Sequence, residues 1–332
     1  MIDNKKSPRN DARPRVSVII VTYGSSKEIP GCIESVLKQA VPVEVFLVDN
    51  ASPDCTPQMA ADYAARFENI HAILNKENVG LAAGNNCPMR SCQGDYVLIL
   101  NPDTFLTDNS LERMADFLDQ NPDVGVLGPK NLYQDGTAHV SSHRHWGLLH
   151  VLMWRVAPYR FTRGLYNWLS SYKYQDVLYV SGACLLIRRE IFEQIGGYDP
   201  EYFLTTEDVC DLCIRARQTG CRVVFLPNVE VFHFTGRSGD QAPYIVVWQA
   251  YRGTVYHFLK HKGLAQAIAV LLILLVSSAT KSLIAVVLGV AKEKYRGVAR
   301  IYASVFWNLL VRNPIRVKGW RYNASTSPSN AA

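Results

Sequence analysis

Carboxylates all but vanish from the end of this chain. From Lys281 to the last residue Glu293 is the only acid, against Lys281, Lys292, Lys294, Arg296, Arg300, Arg312, Arg316, Lys318 and Arg321. A basic tail beside apolar helices suits an anionic membrane surface better than nucleic acid. The chain carries no zinc-finger, RNP or other nucleic-acid signature. A spaced cysteine framework is also lacking. Cys32, Cys55, Cys87, Cys92, Cys184, Cys210, Cys213 and Cys221 are scattered, which excludes a small disulfide scaffold and favours a reducing cytosol. Cys210 and Cys213 make one CxxC, with no second pair at zinc spacing. Met1 to Arg15 has no apolar leader core, so no secretory signal is expected. Neither the turn after the first apolar run nor the stretch 75–86 is a GxGxxG or a Walker A loop. Disorder is excluded by a hydrophobic share of 48%, and 332 residues allow one large domain or two smaller ones.

What the chain does have is a series of short apolar runs that stop on polar residues. Val16 to Thr22 reads as a buried strand, followed by a loop at Tyr23-Gly24 and a helix to about Gln39 with Ile29, Ile33, Val36 and Leu37 on one face. Val43 to Val48 is the next strand and ends at Asp49-Asn50. A strand–helix–strand unit implies a parallel pair, which lays Thr22-Tyr23 beside Asp49. Asp49 could accept hydrogen bonds from a base or ribose, or could simply shape a turn. A helix over 54–67 and a strand over 70–74 follow. Then comes Asn78-Val79-Gly80-Leu81-Ala82-Ala83-Gly84, where small residues admit close backbone approach. Tyr96 to Leu100 reads as a strand buried on both faces, stopped by Asn101-Pro102-Asp103 because proline cannot serve a sheet ladder. Asp103 thus sits just past the carboxyl end of a central strand, where open α/β sheets bind ligands. It could hold a divalent cation against a diphosphate, or only cap the helix over 109–120. A short strand is expected at Val124 to Leu127.

Beyond residue 130 the text changes. His139, His143, His145 and His150 fall among tryptophans, tyrosines and arginines. A metal cluster, an irregular segment beside the site and a lipid-touching segment are all open readings. Tyr179 to Arg188 reads as a strand, Glu190 to Ile195 as a helical turn, and Thr205-Thr206-Glu207-Asp208 as the start of a helix ending near Gly220. A strand over 222–226 stops at Pro227, and a second apolar stretch, 230–234, carries His233, which alone reads as structural. Residues 241–262 read as helix. Leu264 to Val276 and Leu283 to Ala291 are apolar runs around a polar break at 277–282. They fit one marginal membrane span, two interfacial or re-entrant helices, or a buried helix.

The ordered segments VSVIIVTYGS, FLVDNAS, NVGLAAGNN, GDYVLILNPDT, VSGACLLIRREIFEQIGGYDPEYF, TEDVCDLCIRARQTG and VEVFHFTGRS are specific together, though each is weak alone. From about Val16 to Ser238 the chain resembles the family 2 inverting glycosyltransferases of the GT-A fold, above all bacterial rhamnosyltransferases of surface-polysaccharide assembly. The resemblance implies an α/β, GT-A (Rossmann-like) mixed sheet flanked by helices, with C-terminal membrane-associated helices. The expected division is a polar tail 1–14, a catalytic domain 15–240 and a membrane-associated helical region 241–332. Thr22, Tyr23, Asp49, Asn78, Gly80, Asn101 and Asp103 would face the nucleotide-sugar donor. Asp103 matches the last Asp of the metal-binding DxD motif, with Asn101 in place of the first. With His233 it would hold Mg²⁺ or Mn²⁺. Glu207-Asp208 matches the pair whose Asp is the general base.

The chain departs from that family in one respect. Members commonly read Glu-Asp-x-Asp-Leu-Cys-x-Arg, but here one extra residue separates Glu207-Asp208 from Asp211-Leu212-Cys213. The base therefore lies with Asp208 or Asp211. Asp208 is favoured because it opens the helix, whereas Asp211 is spaced to pair with Arg215. The implied reaction neutralises a leaving diphosphate and deprotonates an acceptor hydroxyl. The acceptor would be a polyprenyl-linked saccharide, handled on the cytoplasmic face of the plasma membrane by a peripheral or single-span protein. The competing readings are a nucleotide-dependent oxidoreductase, opposed by the missing glycine fingerprint, and an inactive sugar-nucleotide-binding protein.

Overall fold

The computed structural model describes residues 13–156, 175–204, 207–234 and 243–312. Its centre is a nine-stranded mixed sheet. In chain order the elements are β1 (Val16–Thr22), α1 (Ile29–Leu37), β2 (Val43–Asp49), α2 (Thr56–Arg66), β3 (Ile70–Leu74), α3 (Leu81–Asn86), β4 (Tyr96–Leu100), β5 (Thr104–Leu106), α4 (Ser110–Gln120) and β6 (Val124–Leu132). Then follow β7 (Ser142–His143), α5 (Leu148–Val156), β8 (Gln175–Asp176), β9 (Tyr179–Val180), β10 (Cys184–Arg188), α6 (Arg189–Gln194) and α7 (Glu207–Gln218). The chain closes with β11 (Arg222–His233), α8 (Pro243–Lys262), α9 (Leu264–Ala291) and α10 (Lys294–Val311). The sheet runs β3-β2-β1-β4-β10-β6-β11-β5, with β8 also on β11, while β7 and β9 form a separate ribbon.

The expected parallel pair of β1 and β2 is present, and β4 extends it. β1 pairs in parallel with β2 and β4, and Thr22 stands directly opposite Asp49. β10 runs antiparallel between β4 and β6, which makes the sheet mixed. Alternate side chains serve the two faces. Val18, Ile20, Leu98, Leu100 and Leu186 pack under α1 and α4. Ile19, Val21, Val97, Ile99 and Ile187 join a core that continues through α7 and α8 into Ala267, Val270 and Leu274 of α9.

Several elements differ from the sequence reading for identifiable reasons. The two stretches around Pro227 are one strand, β11, with a register shift between Leu226 and Glu230. A bulge spares the proline the hydrogen bond it cannot donate. The stretch read as one strand over 179–188 splits, because β9 pairs with β7 while β10 joins the main sheet. The small-residue stretch after Gly80 is helical (α3), and part of the supposed irregular segment after residue 146 is α5. The polar break at 277–282 does not interrupt α9, since Ser277 and Ser278 are buried and hydrogen-bonded. Thr205-Thr206, expected to open α7, lies outside the described residues.

Candidate functional site

The carboxyl ends of β1 and β2 hold the first cluster. Thr22 Oγ1 donates to Asp49 Oδ1 at 3.1 Å, and both residues are buried. The backbone N–H of Ser52 donates to Asp49 Oδ2 at 3.0 Å, its hydroxyl donates to Oδ1, and the N–H of Gly24 donates to Ser52 Oγ at 2.9 Å. Asp49 therefore fastens the β1 and β2 loops to each other. Tyr23 is half-buried beside it. Asn50 extends the cluster by donating to Gly80 O at 3.1 Å. Asn78 Oδ1 accepts from Gly80 N at 2.9 Å, which folds the turn over residues 78–80 on itself. Gly80 has φ +85°, and an added Cβ would lie 2.6 Å from Phe203 O. That close approach lets Leu81 N donate to Phe203 O at 2.6 Å. The turn is thereby tied to the segment leading into α7. Sequence reading missed Ser52, Asn50 and Phe203. Ser52 had a local signal, three residues after Asp49 in a turn-forming stretch.

The second cluster lies where β4 ends. Asn101 N donates to Ala183 O at 2.9 Å, and Asn101 O accepts from Thr104 N at 3.0 Å, so a tight turn swings Asp103 inward. β5 then pairs with β11 so that Thr104 faces His233. Asp103 Oδ1 and His233 Nε2 are 3.4 Å apart, and Phe234 N donates to Asp103 O at 2.9 Å. His139 meets His233 edge to face, with ring centroids 5.7 Å apart. Its Nδ1 donates to Val140 O, and burial, followed by the neighbouring His233, holds its pKa below the ordinary value. Of the other histidines in that stretch, His143 stacks on Tyr179 and His150 lies against Trp146.

This second cluster suits a divalent cation. Two neighbouring ligand atoms on an ion with bonds of about 2.1 Å stand roughly 3 Å apart, close to the Asp103–His233 separation. The surroundings contain buried polar atoms without partners: His233 Nδ1, Thr104 Oγ1, and Oδ1 and Nδ2 of Asn131. Among the described residues no third acidic, histidine or cysteine ligand converges there. A Mg²⁺-type ion commonly takes few protein ligands and fills its shell with phosphates and water.

The third cluster is the acidic start of α7. Asp208 is 3% exposed, and its Oδ1 accepts from Val209 N while Oδ2 has no partner. Burial, together with neighbouring Glu207 and Asp211, pushes its pKa up to about 8. Glu207 accepts from Thr254 Oγ1 of α8 at 2.6 Å. Asp211 is fully buried and engaged on both oxygens: Arg215 Nε at 2.7 Å on Oδ2, with His261 Nε2 at 2.7 Å and Lys260 Nζ at 2.6 Å on Oδ1. Burial alone would raise this carboxyl, but the His261 hydrogen bond and the charges of Arg215 and Lys260 outweigh it and hold the group well below the carboxylate range. The Asp211–Arg215 pair expected from the spacing is present, and α8 adds partners that no local pattern announces. Among the described residues no hydrogen bond joins Asp208 to Asp103.

A strand-end polar cluster, an Asp–His pair and a buried acidic helix start thus lie on one mixed sheet. Residues 17–196 match the model of the family described as "Glycosyl transferase family 2". The chain belongs to glycosyl transferase family 2. This glycosyltransferase is 30% identical over 267 residues to the N-acetylglucosaminyl-diphospho-decaprenol L-rhamnosyltransferase of Mycobacterium tuberculosis, covering 74% of this chain and 85% of that protein. Among solved structures it resembles the mannosyltransferase PcManGT from Pyrobaculum calidifontis in complex with GDP-Man and Mn²⁺. There the TM-score is 0.54 and the identity 20%, over 91% of this chain and 88% of that one. It also resembles S. aureus TarS in complex with UDP-GlcNAc, with TM-score 0.52 and 19% identity over 74% of this chain and 66% of that one. The GT-A architecture of this glycosyltransferase is thereby shown on both sequence and fold.

Proposed function

We propose that this glycosyltransferase moves a sugar, rhamnose by its similarity to the mycobacterial enzyme, from a nucleoside-diphosphate sugar to a hydroxyl of a polyprenyl-diphosphate-linked saccharide, with inversion. The observation that carries the reading is the contrast inside α7. Asp208 keeps a buried, unpartnered carboxylate oxygen, whereas every oxygen of Asp211 is taken by a cation. A carboxyl raised towards neutral pH is matched to general-base work, so Asp208 accepts the acceptor's proton as its oxygen attacks. Glu207, held by Thr254, orients the acceptor or supports the loop. No covalent nucleophile is required, because attack from the face opposite the leaving group inverts the anomeric carbon in one step.

Thr22, Tyr23 and Asp49 receive the nucleoside, with Asn78, Gly80 and Asn101 around the donor. Asp103 and His233 would hold a Mg²⁺ or Mn²⁺ ion, which when bound offsets the negative charge of the departing diphosphate. The Mn²⁺ bound with PcManGT is consistent with that assignment. Residues 15–240 perform catalysis, and residues 241–332 attach the enzyme to the membrane that carries its lipid-linked acceptor. The apolar α9, the basic tail and eight free cysteines support a cytoplasmic, membrane-bound setting. The test is a panel of nucleoside-diphosphate sugars with purified full-length enzyme and a polyprenyl-diphosphate-linked acceptor, measuring nucleoside diphosphate release. Release should require acceptor and cease in excess EDTA. Full activity in EDTA would end the cation assignment, and no release from any donor would favour an inactive binding protein.

A further inference from the structure

α9 is the one described helix long and apolar enough to cross a membrane, with a mean hydropathy of 2.3 in its most apolar stretch. Its packing is incompatible with a crossing. Midway along, Ser277 Oγ donates to Arg155 O of α5 at 2.7 Å, and Lys281 Nζ donates to Tyr251 OH of α8 at 3.3 Å. α8 in turn is fastened to α7 through Thr254–Glu207 and His261–Asp211, and to the turn before it through Lys260–Asp199. The middle of α9 is therefore pinned at the level of the catalytic domain. A helix rises 1.5 Å per residue, so the stretch beyond Lys281 extends only about 15 Å, half of the roughly 30 Å hydrocarbon layer. Standing the helix upright would also bring Lys292 and Arg296 to rest near mid-membrane, where a charge is costly.

The exposed side tells the same story. Leu272, Val276, Leu283, Val287 and Val290 are 58%, 64%, 66%, 65% and 85% exposed and follow one side of α9 along most of its length. Trp307 on α10, 64% exposed, borders the same surface across a shallow apolar groove lined by Leu283, Val286 and Phe306. Arg300 and Arg296 lie exposed on α10 about one and two turns before Ala303. An apolar face flanked by cations complements acyl chains beneath anionic headgroups.

We infer that α9 and α10 lie flat in a single leaflet, on the side of the membrane that carries the catalytic domain, and do not cross it. This rests on the membrane attachment proposed above. The experiment binds full-length enzyme to preformed anionic vesicles and uses a membrane-impermeant maleimide, with Glu293→Cys at the α9–α10 turn in a Cys87→Ser background. Native Cys55, exposed on the catalytic domain, reports the domain's side. Glu293→Cys should label from outside together with Cys55, while Leu283→Cys carrying an environment-sensitive dye should be quenched by spin labels placed at shallow acyl depth. Labelling of Glu293→Cys only by reagent trapped in the lumen would overturn the inference and leave the attachment standing. No vesicle binding and no dye response would overturn both. Removing Lys292, Arg296 or Arg300 should weaken vesicle binding roughly five-fold per charge.

Discussion

At the scale of single residues, the decisive fact is that one helix start holds carboxylates with opposite electrostatic fates. Asp208 and Asp211 are both buried, but only Asp211 is surrounded by cations. Asp208→Asn should lower the rate by about a hundred- to ten-thousand-fold, the typical cost of a lost general base, with donor affinity retained by titration. Because a base must be ionised, kcat/KM of the native enzyme should climb with pH to about 8 and lose that limb in the variant. The same group sets a stability slope. Its folded pKa is raised above the unfolded value, so the protein binds the extra proton when folded. Stability is then full at low pH and declines from about pH 4 to about 8. Thermal unfolding of Asp208→Asn across that range should show a flatter slope. An unchanged slope and rate would remove Asp208 from the mechanism. Asp211→Asn should instead destabilise by about 3–5 kcal/mol in chemical denaturation, because it strands buried cations. If Asp211→Asn abolished turnover in a well-folded protein while Asp208→Asn did not, the inserted residue would have shifted the base to position 211.

At the scale of elements, the proposed site is assembled by contacts between segments far apart in sequence. Asp103 meets His233 only because β5 pairs with β11. Likewise Gly80 meets Phe203 only because the β3–α3 turn passes over the segment before α7. Gly80→Ala combines an unfavourable positive φ with a 2.6 Å clash against backbone. It should cost at least about 1 kcal/mol of stability. By displacing Phe203 it should also depress kcat more than donor binding. Wild-type kcat in a folded Gly80→Ala variant would show that this packing does not position α7. The strands over 16–22, 43–49, 70–74 and 96–100, the parallel β1–β2 pair and the hydrophobic face of α1 were legible in the sequence, because period and composition are local. The continuity of β11 through Pro227 and of α9 through its serines was not. A bulge absorbs the proline, the Ser277 hydroxyl donates to Arg155 O of α5, and the Ser278 hydroxyl donates to Leu274 O within α9 itself.

At the scale of the whole molecule, the catalytic sheet and the C-terminal helices share one core, with Tyr251, Val255 and Phe258 of α8 in the same cluster as Ala267, Val270 and Leu274 of α9. Truncation after Lys262 would uncover that apolar surface. The shortened chain should aggregate or lose cooperative unfolding rather than behave as a well-folded soluble domain, which size-exclusion chromatography and calorimetry would reveal. A monodisperse, fully stable truncation would mean that α9 adds nothing to the catalytic core. The sequence by itself determined the α/β class, the strands whose ends carry Thr22, Asp49 and Asp103, and the membership signalled by its ordered motifs. These follow from side-chain period, from proline and from residue identity, all of which act over a few positions. Only the tertiary structure decided how fully partners from α8 enclose Asp211 and how the apolar helix packs on its neighbours. Those depend on groups such as His261, Lys260 and Arg155, which become neighbours through the path of α8 and α5 and leave no trace in local spacing.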